Sequence, residues 1–258
     1  MPMLDVEGGS IYYQVKGTGI PIIFIHPPLL TSANFIYQIE DLSRNYQVIT
    51  FDMRGHGRSS YSTRAITYEL IVEDISRLLK HLHIEKAFIC GYSTGGTIAL
   101  EFLLTMSNMA YGGIVISGMS EVSDFILKNR ILMAVKLAKT KSLSLLATTI
   151  AWGNSNSRGT FKKLYDEAIK GDARNIRQYY RYSFQYNCTS QLHEIDLPVL
   201  LVYGKKNKGF YKYARILHEG LPNNKWVLLQ KEKHQLPTKA AMKLNECIQQ
   251  FIRLCKGQ

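Results

Sequence analysis

The sequence predicts an α/β fold, a mainly parallel sheet covered by helices on both faces. Two patterns predict it. Short continuous apolar runs, as expected of strands buried on both sides, alternate with stretches whose apolar residues recur at helical spacing. A chain of 258 residues with 46% hydrophobic and 20% charged residues can bury such a sheet without disulfide or metal staples.

In chain order, residues 4–7 and 11–15 flank the turn Gly8-Gly9-Ser10 and are expected to pair as an antiparallel hairpin. After Gly17-Thr18-Gly19, the apolar run 21–26 suits a buried parallel strand, and residues 46–52 supply the next one. Residues 68–82 carry apolar side chains at 71, 75, 78, 79 and 82, which is helical spacing. A short strand at 86–90 leads into a helix at 94–106, and 113–117 is another strand. Strands at 198–203 and 226–229 follow, and a terminal helix runs from about Thr238 to Leu254. Between Gly118 and Leu197 the strand signal disappears and the chain reads as helical. The expected organisation is therefore a core formed by residues 1–118 and 198–258, with a helical lid at 119–197 inserted after the sixth strand. Ligands of open α/β sheets bind at the carboxyl ends of the strands, so such a lid would roof the site.

Bulk properties narrow the function classes. The net charge is +12, but the cations are spread along the chain without an aromatic-interleaved basic motif, so nucleic acid is not an expected partner. No run approaches about 18 apolar residues, so no membrane span is expected. The first residues lack the pattern of a secretory signal. Cys90, Cys188, Cys247 and Cys255 have no paired spacing, which argues against a metal centre or disulfide framework and fits a reduced, cytoplasmic setting.

The strongest local motif is Gly91-Tyr92-Ser93-Thr94-Gly95-Gly96, a G-x-S-x-G sequence between a buried strand and a helix. That context holds Ser93 Oγ above the sheet at the positive end of the helix, with the Thr94 N–H aimed where an oxyanion forms. A serine hydroxyl needs a base. Of the seven histidines, His234 alone lies after the last strand and just ahead of the final helix. His81 and His83 end a helix, His193 and His218 read as surface positions, and His56 sits in a glycine turn where it braces the loop.

These blocks, with Phe24-Ile25-His26-Pro27-Pro28 and the Asp52-Met53-Arg54-Gly55-His56-Gly57-Arg58-Ser59 run, resemble the α/β-hydrolase superfamily over essentially the whole chain. The second run matches a loop that recurs in small esterases, haloperoxidase-like enzymes and C–C bond hydrolases, and it is read as structural. The resemblance implies a Ser–His–acid site with no metal or organic cofactor. Two positions depart from it. The acid is usually written in the loop after the penultimate strand, where this chain has Gly204-Lys205-Lys206-Asn207. Asn207 orients an imidazole but adds no charge, and loss of that charge slows serine enzymes by orders of magnitude. Glu121 and Asp124 are alternative third members; their other reading is helix capping, with Ser120 or Ser123 as the N-cap. The second oxyanion donor falls on Pro28, which has no N–H, so Leu29 is the candidate.

The leading expectation is a serine hydrolase of a small, largely apolar ester or related carbonyl compound. The alternatives are a ligand-binding or signalling protein with little turnover, and cofactor-free non-hydrolytic chemistry in the same pocket. The sequence specifies neither the substrate nor the oligomeric state.

Overall fold

The computed structural model of the protein describes residues 2–257. An eight-stranded sheet organises it, in the order β1-β2-β4-β3-β5-β6-β7-β8. The hairpin β1 (Met3–Val6) and β2 (Gly9–Lys16) pairs antiparallel, with Val6 opposite Gly9. β2 also runs antiparallel to β4 (Gln47–Phe51). The remaining strands are parallel: β3 (Pro21–Ile25), β5 (Ala87–Tyr92), β6 (Ala110–Ile116), β7 (Val199–Gly204) and β8 (Asn224–Leu229).

The continuous apolar strand runs arise because both faces are covered. Ile22, Phe24, Val48, Phe88, Cys90, Ile114, Leu200 and Val202 point to one side. They pack there against Leu42 of α1 (Ile36–Leu42) and Leu244, Ile248 and Ile252 of α10 (Ala241–Lys256). The alternate residues Ile23, Ile25, Ile49, Phe51, Ile89, Val115 and Leu201 face the other core. That side is closed by α2 (Tyr68–His81), α3 (Thr94–Thr105) and α8 (Tyr211–Gly220). Strand alternation thus divides one sheet between two cores.

The boundaries expected from the sequence shift by a few residues at most. The terminal helix differs more: it is split, with a four-residue helix α9 (Leu236–Lys239) ahead of α10. Pro237, the second residue of α9, has no N–H to lose to a helix ladder, so it suits the first turn of a helix and not its interior.

The segment between β6 and β7 holds no strand among the described residues. It forms α4 (Phe125–Leu137), α5 (Leu143–Asn154), α6 (Arg158–Ala168) and α7 (Ala173–Gln185). α4 packs on α7, and α5 on α6. α7 buries Ile176, Tyr179, Tyr180 and Ser183, a stripe at helical spacing that docks it on the core. Its Tyr179 hydroxyl donates to the His26 carbonyl (3.1 Å) and its Tyr180 hydroxyl to the Pro28 carbonyl (3.4 Å).

The Asp52–Ser59 loop is braced throughout. Asp52 accepts the N–H groups of Ser32 (2.8 Å) and Arg58 (2.9 Å) on its two oxygens. Arg54 makes a bidentate pair with buried Asp74 on α2 (2.6 and 2.7 Å). His56 is fully buried, its Nδ1 bonded to the Arg54 carbonyl (3.0 Å), and burial pushes its pKa down to about 3. The nearby His26 Nε2 accepts the Met53 N–H (2.9 Å), which leaves Nδ1 protonated toward the Pro27 carbonyl. These two histidines are neutral struts of the loop.

Candidate functional site

Ser93 sits between β5 and α3 with φ 55° and ψ −121°, a left-handed backbone that is strained for a residue with a side chain. Glycine neighbours make the turn feasible. A Cβ on Gly91 would lie 2.0 Å from the Gly95 carbonyl oxygen, and one on Gly95 would lie 2.2 Å from the Ile25 carbonyl oxygen. Inside that turn the Ser93 N–H donates to the Ile116 carbonyl (2.8 Å), tying the elbow to β6.

His234 lies in the loop between β8 and α9. Its Nε2 is 3.1 Å from Ser93 Oγ. The rings of Phe210 (centroids 4.3 Å apart) and Tyr92 (5.4 Å) pack against the imidazole and restrict its tilt. Burial, then the nearby Arg130 cation, lowers the His234 pKa to about 4.

On the other side of the imidazole, the Asn207 amide nitrogen lies 3.0 Å from His234 Nδ1. The two loops are latched by backbone: Lys205 N–H donates to Leu229 O (2.9 Å) and Lys206 N–H to Glu232 O (2.8 Å). Gly204 makes the approach possible, since a Cβ there would be 2.1 Å from the Lys233 carbonyl oxygen. Of the three candidates for the third position, Asn207 alone meets the imidazole. Glu121 accepts hydrogen bonds from Asn187 and Thr189 (3.1 Å each). Asp124 accepts the Leu127 N–H (2.8 Å) and the Tyr213 hydroxyl (2.5 Å), so it is itself the N-cap of α4, a role the sequence suggested for Ser120 or Ser123.

The Asn207 amide specifies the imidazole tautomer. With its nitrogen toward Nδ1 it donates, the ring proton sits on Nε2, and Nε2 has no lone pair for the Ser93 proton. A half-turn of the amide brings Oδ1 to Nδ1, moves the ring proton there and frees Nε2 as a base. A carboxylate at this position would permit only the second arrangement.

Ser93 and His234 open onto a cavity of about 220 Å³. Its wall is mainly apolar, with Pro27, Pro28, Leu30, Met119, Ile131 and Ile150 among its residues. Polar groups enter from Tyr92, Thr94, Asn154, Tyr180 and Gln235, and Arg130 is the one charged residue among the described residues that line it. Thr94 is the first residue of α3, where a backbone N–H has no intrahelical acceptor. Leu29 has φ 70° and turns its side chain into the core, while Leu30 lines the cavity. The Tyr92 hydroxyl donates to Asn154 Oδ1 (3.0 Å), fastening the end of α5 over β5.

The structure brings the expected residues Ser93, His234 and Asn207 together, with Thr94 beside Ser93, and it adds Arg130, Met119, Asn154 and Gln235 to the cavity wall, which the sequence did not single out. The spacing of Ile176, Tyr179, Tyr180 and Ser183 in α7 is a signal that could have marked the two tyrosines as inward. α4 gave no such signal, because it is apolar on most of its circumference.

The pKa of His234 carries a kinetic expectation. An imidazole accepts a proton only when neutral, and the folded pKa of His234 is depressed, so its proton-accepting form persists until pH falls through about 4. The acidic limb of kcat/KM is therefore expected near pH 4, well below the 6.5 of an ordinary histidine. Arg130→Met removes a neighbouring cation and should move that limb to higher pH. A limb near 6.5 in the unaltered protein would refute this electrostatic reading.

A family model described as alpha/beta hydrolase fold matches residues 20–237. AB hydrolase superfamily protein YisY of Bacillus subtilis is 32% identical over 98 residues, which is 38% of this chain; the chain spans only 37% of that relative's length. The proline iminopeptidase of Saccharolobus solfataricus aligns over 96% of this chain and 90% of its own, at 24% identity. Among solved structures, the enol-lactonase from Burkholderia xenovorans superposes with a TM-score of 0.87 at 17% identity, covering 97% of this chain and 99% of its own.

Proposed function

The chain belongs to the α/β-hydrolase family, and we propose that it is a serine hydrolase of a small, largely apolar ester or related carbonyl compound. The observation that carries this reading is the 3.1 Å contact between Ser93 Oγ and His234 Nε2, in the wall of a mainly apolar cavity. Ser93 Oγ attacks the carbonyl carbon and its proton passes to His234 Nε2. The Thr94 N–H binds the oxyanion, joined by Leu29, whose N–H is the first after the two prolines. Collapse expels the alcohol, which takes the proton from Nε2, and leaves an acyl group on Ser93. A water then attacks that ester while His234 accepts its proton, and Ser93 Oγ departs as the leaving group.

Residues 119–197 act as the lid over a core of 1–118 and 198–258. The cavity supports this assignment, since Leu127, Ile131, Ile150 and Tyr180 wall it from the lid side. All four cysteines are free, which supports a reducing, cytoplasmic compartment.

A fluorophosphonate label tests the nucleophile. Intact-mass analysis is expected to find one adduct, mapped by peptide sequencing to Ser93, and none in Ser93→Ala. An unlabelled protein beside a labelled control esterase would count against a serine hydrolase. The second reading, a binding protein with little turnover, is favoured by the Asn207 amide nitrogen at Nδ1 and by the missing N–H at Pro28. It expects aromatic ligands to bind Ser93→Ala as tightly as the unaltered protein while neither hydrolyses esters.

A further inference from the structure

α4 and α5 are unusual surface helices. A surface helix ordinarily has an apolar inner stripe and a polar outer face. α4 buries Ile131 and Ala134, yet its outward positions are Phe125, Ile126, Asn129, Arg130, Leu132, Met133 and Lys136. At helical spacing those seven positions form one continuous face, with four large apolar side chains, two cations and no anion. Phe125 is 80% exposed and Ile126 64%. α5, packed beside α4, exposes Leu145 and Trp152, the latter at 69%. Six of the eleven exposed large hydrophobic residues of the described chain lie on these two helices. The charge here is equally one-sided. From Phe125 to Tyr165 the sequence has eight lysines and arginines and no aspartate or glutamate. The even spread of cations along the chain conceals this, because what is uneven is the acids.

We propose that the exposed α4–α5 face docks on an anionic lipid surface, with Phe125, Ile126 and Trp152 entering the headgroup–acyl boundary and the lysines on lipid phosphates. Charge complementarity selects this occupant. Burying large apolar side chains while cations stay at the headgroups is how interfacial helices bind anionic bilayers. A second copy of the chain would bring one cationic face against another. No helix among the described residues is long and apolar enough to cross a membrane, so the contact is peripheral. Arg130, on the same face, also lines the cavity, so a docked membrane would lie next to the site.

Sedimentation with phosphatidylcholine vesicles, with and without phosphatidylglycerol, tests the proposal and needs no hydrolysis. The unaltered protein should partition onto the anionic vesicles and not onto pure phosphatidylcholine. Phe125→Ser with Ile126→Ser, and separately Lys136→Glu with Lys139→Glu, should each weaken binding about tenfold or more. Lys86→Glu with Lys225→Glu makes the same change in net charge at the opposite ends of the parallel strands and should leave binding intact. Trp152 emission, read in Trp226→Phe, should shift to the blue on binding. Three results would overturn the proposal: no binding to anionic vesicles at low salt, equal loss in the Lys86/Lys225 control, or binding without a Trp152 shift. A dimer in light scattering that Phe125→Ser with Ile126→Ser dissociates, with vesicles ignored, would assign the face to a second copy instead.

Discussion

Ser93→Ala is expected to lower kcat/KM for an activated ester such as p-nitrophenyl butyrate by about 10²–10⁴-fold, with little change in thermal stability. In enzymes with a full Ser–His–Asp set, removing the serine costs about 10⁶ in kcat. The smaller expectation here follows from what Ser93 has to work with. The imidazole beside its Oγ is met by a neutral amide, and residue 28, in the loop proposed to hold the oxyanion, is a proline. Transition-state stabilisation already absent cannot be lost a second time, so the ratio of unaltered to variant rate is compressed. Stability should hold or rise slightly. The left-handed φ of 55° is unfavourable for serine and alanine alike, and only the Oγ contact to His234 is lost. Steady-state kinetics beside a calorimetric melt separates these claims. Equal ester hydrolysis by the two proteins would remove Ser93 from the chemistry.

The elbow was legible because its geometry leaves few options. A strand must reverse into a helix within a few residues, backbone atoms come as close as Gly91 and Gly95 require, and the spacing of glycines around Ser93 records that crowding in the sequence. His234 was legible from chain order. The parallel strands were legible too, since burial on both faces turns each into an unbroken apolar run. The cavity wall was not. α4 is apolar on its outer face as well as its inner one, so periodicity could not assign Arg130 to the cavity or Phe125 to the surface. Helix α8 carries Tyr213, Ala214 and Leu217 inward, a stripe little more than one turn long between two strands, and the sequence did not reveal it. Letters also cannot tell an amide oxygen from an amide nitrogen. Asn207 was visible as a departure, but the imidazole tautomer it permits depends on which of two nearly isosteric atoms faces Nδ1.

That dependence makes Asn207→Asp the most informative gain-of-function test, expected to raise kcat/KM for the same ester by about 10²-fold. Three effects act in one direction. A carboxylate has no N–H, so it holds only the tautomer with Nδ1 protonated and Nε2 free. Its charge stabilises the imidazolium that forms as Ser93 attacks, the contribution whose loss costs about 10⁴ in a serine protease. It also offsets the Arg130 cation, raising the His234 pKa from about 4 and making the imidazole a stronger base. The last effect provides a signature independent of rate. The acidic limb of kcat/KM should move to higher pH in Asn207→Asp, because the protonated imidazole is now favoured and the base is lost at a higher pH. The environment of residue 207 can accept the change: its backbone N–H is bonded to the Gly204 carbonyl (2.9 Å) and its carbonyl to the Phe210 N–H (2.9 Å), so the turn does not rely on the side chain. Adding Ser93→Ala to Asn207→Asp should erase the whole gain, so that the double variant matches Ser93→Ala alone. If the acidic limb moves but the rate does not, orientation of His234 is not what limits turnover, and the missing N–H at Pro28 becomes the dominant deficit. If neither moves, Asn207 and His234 do not act together, and the binding-protein reading gains over the hydrolase.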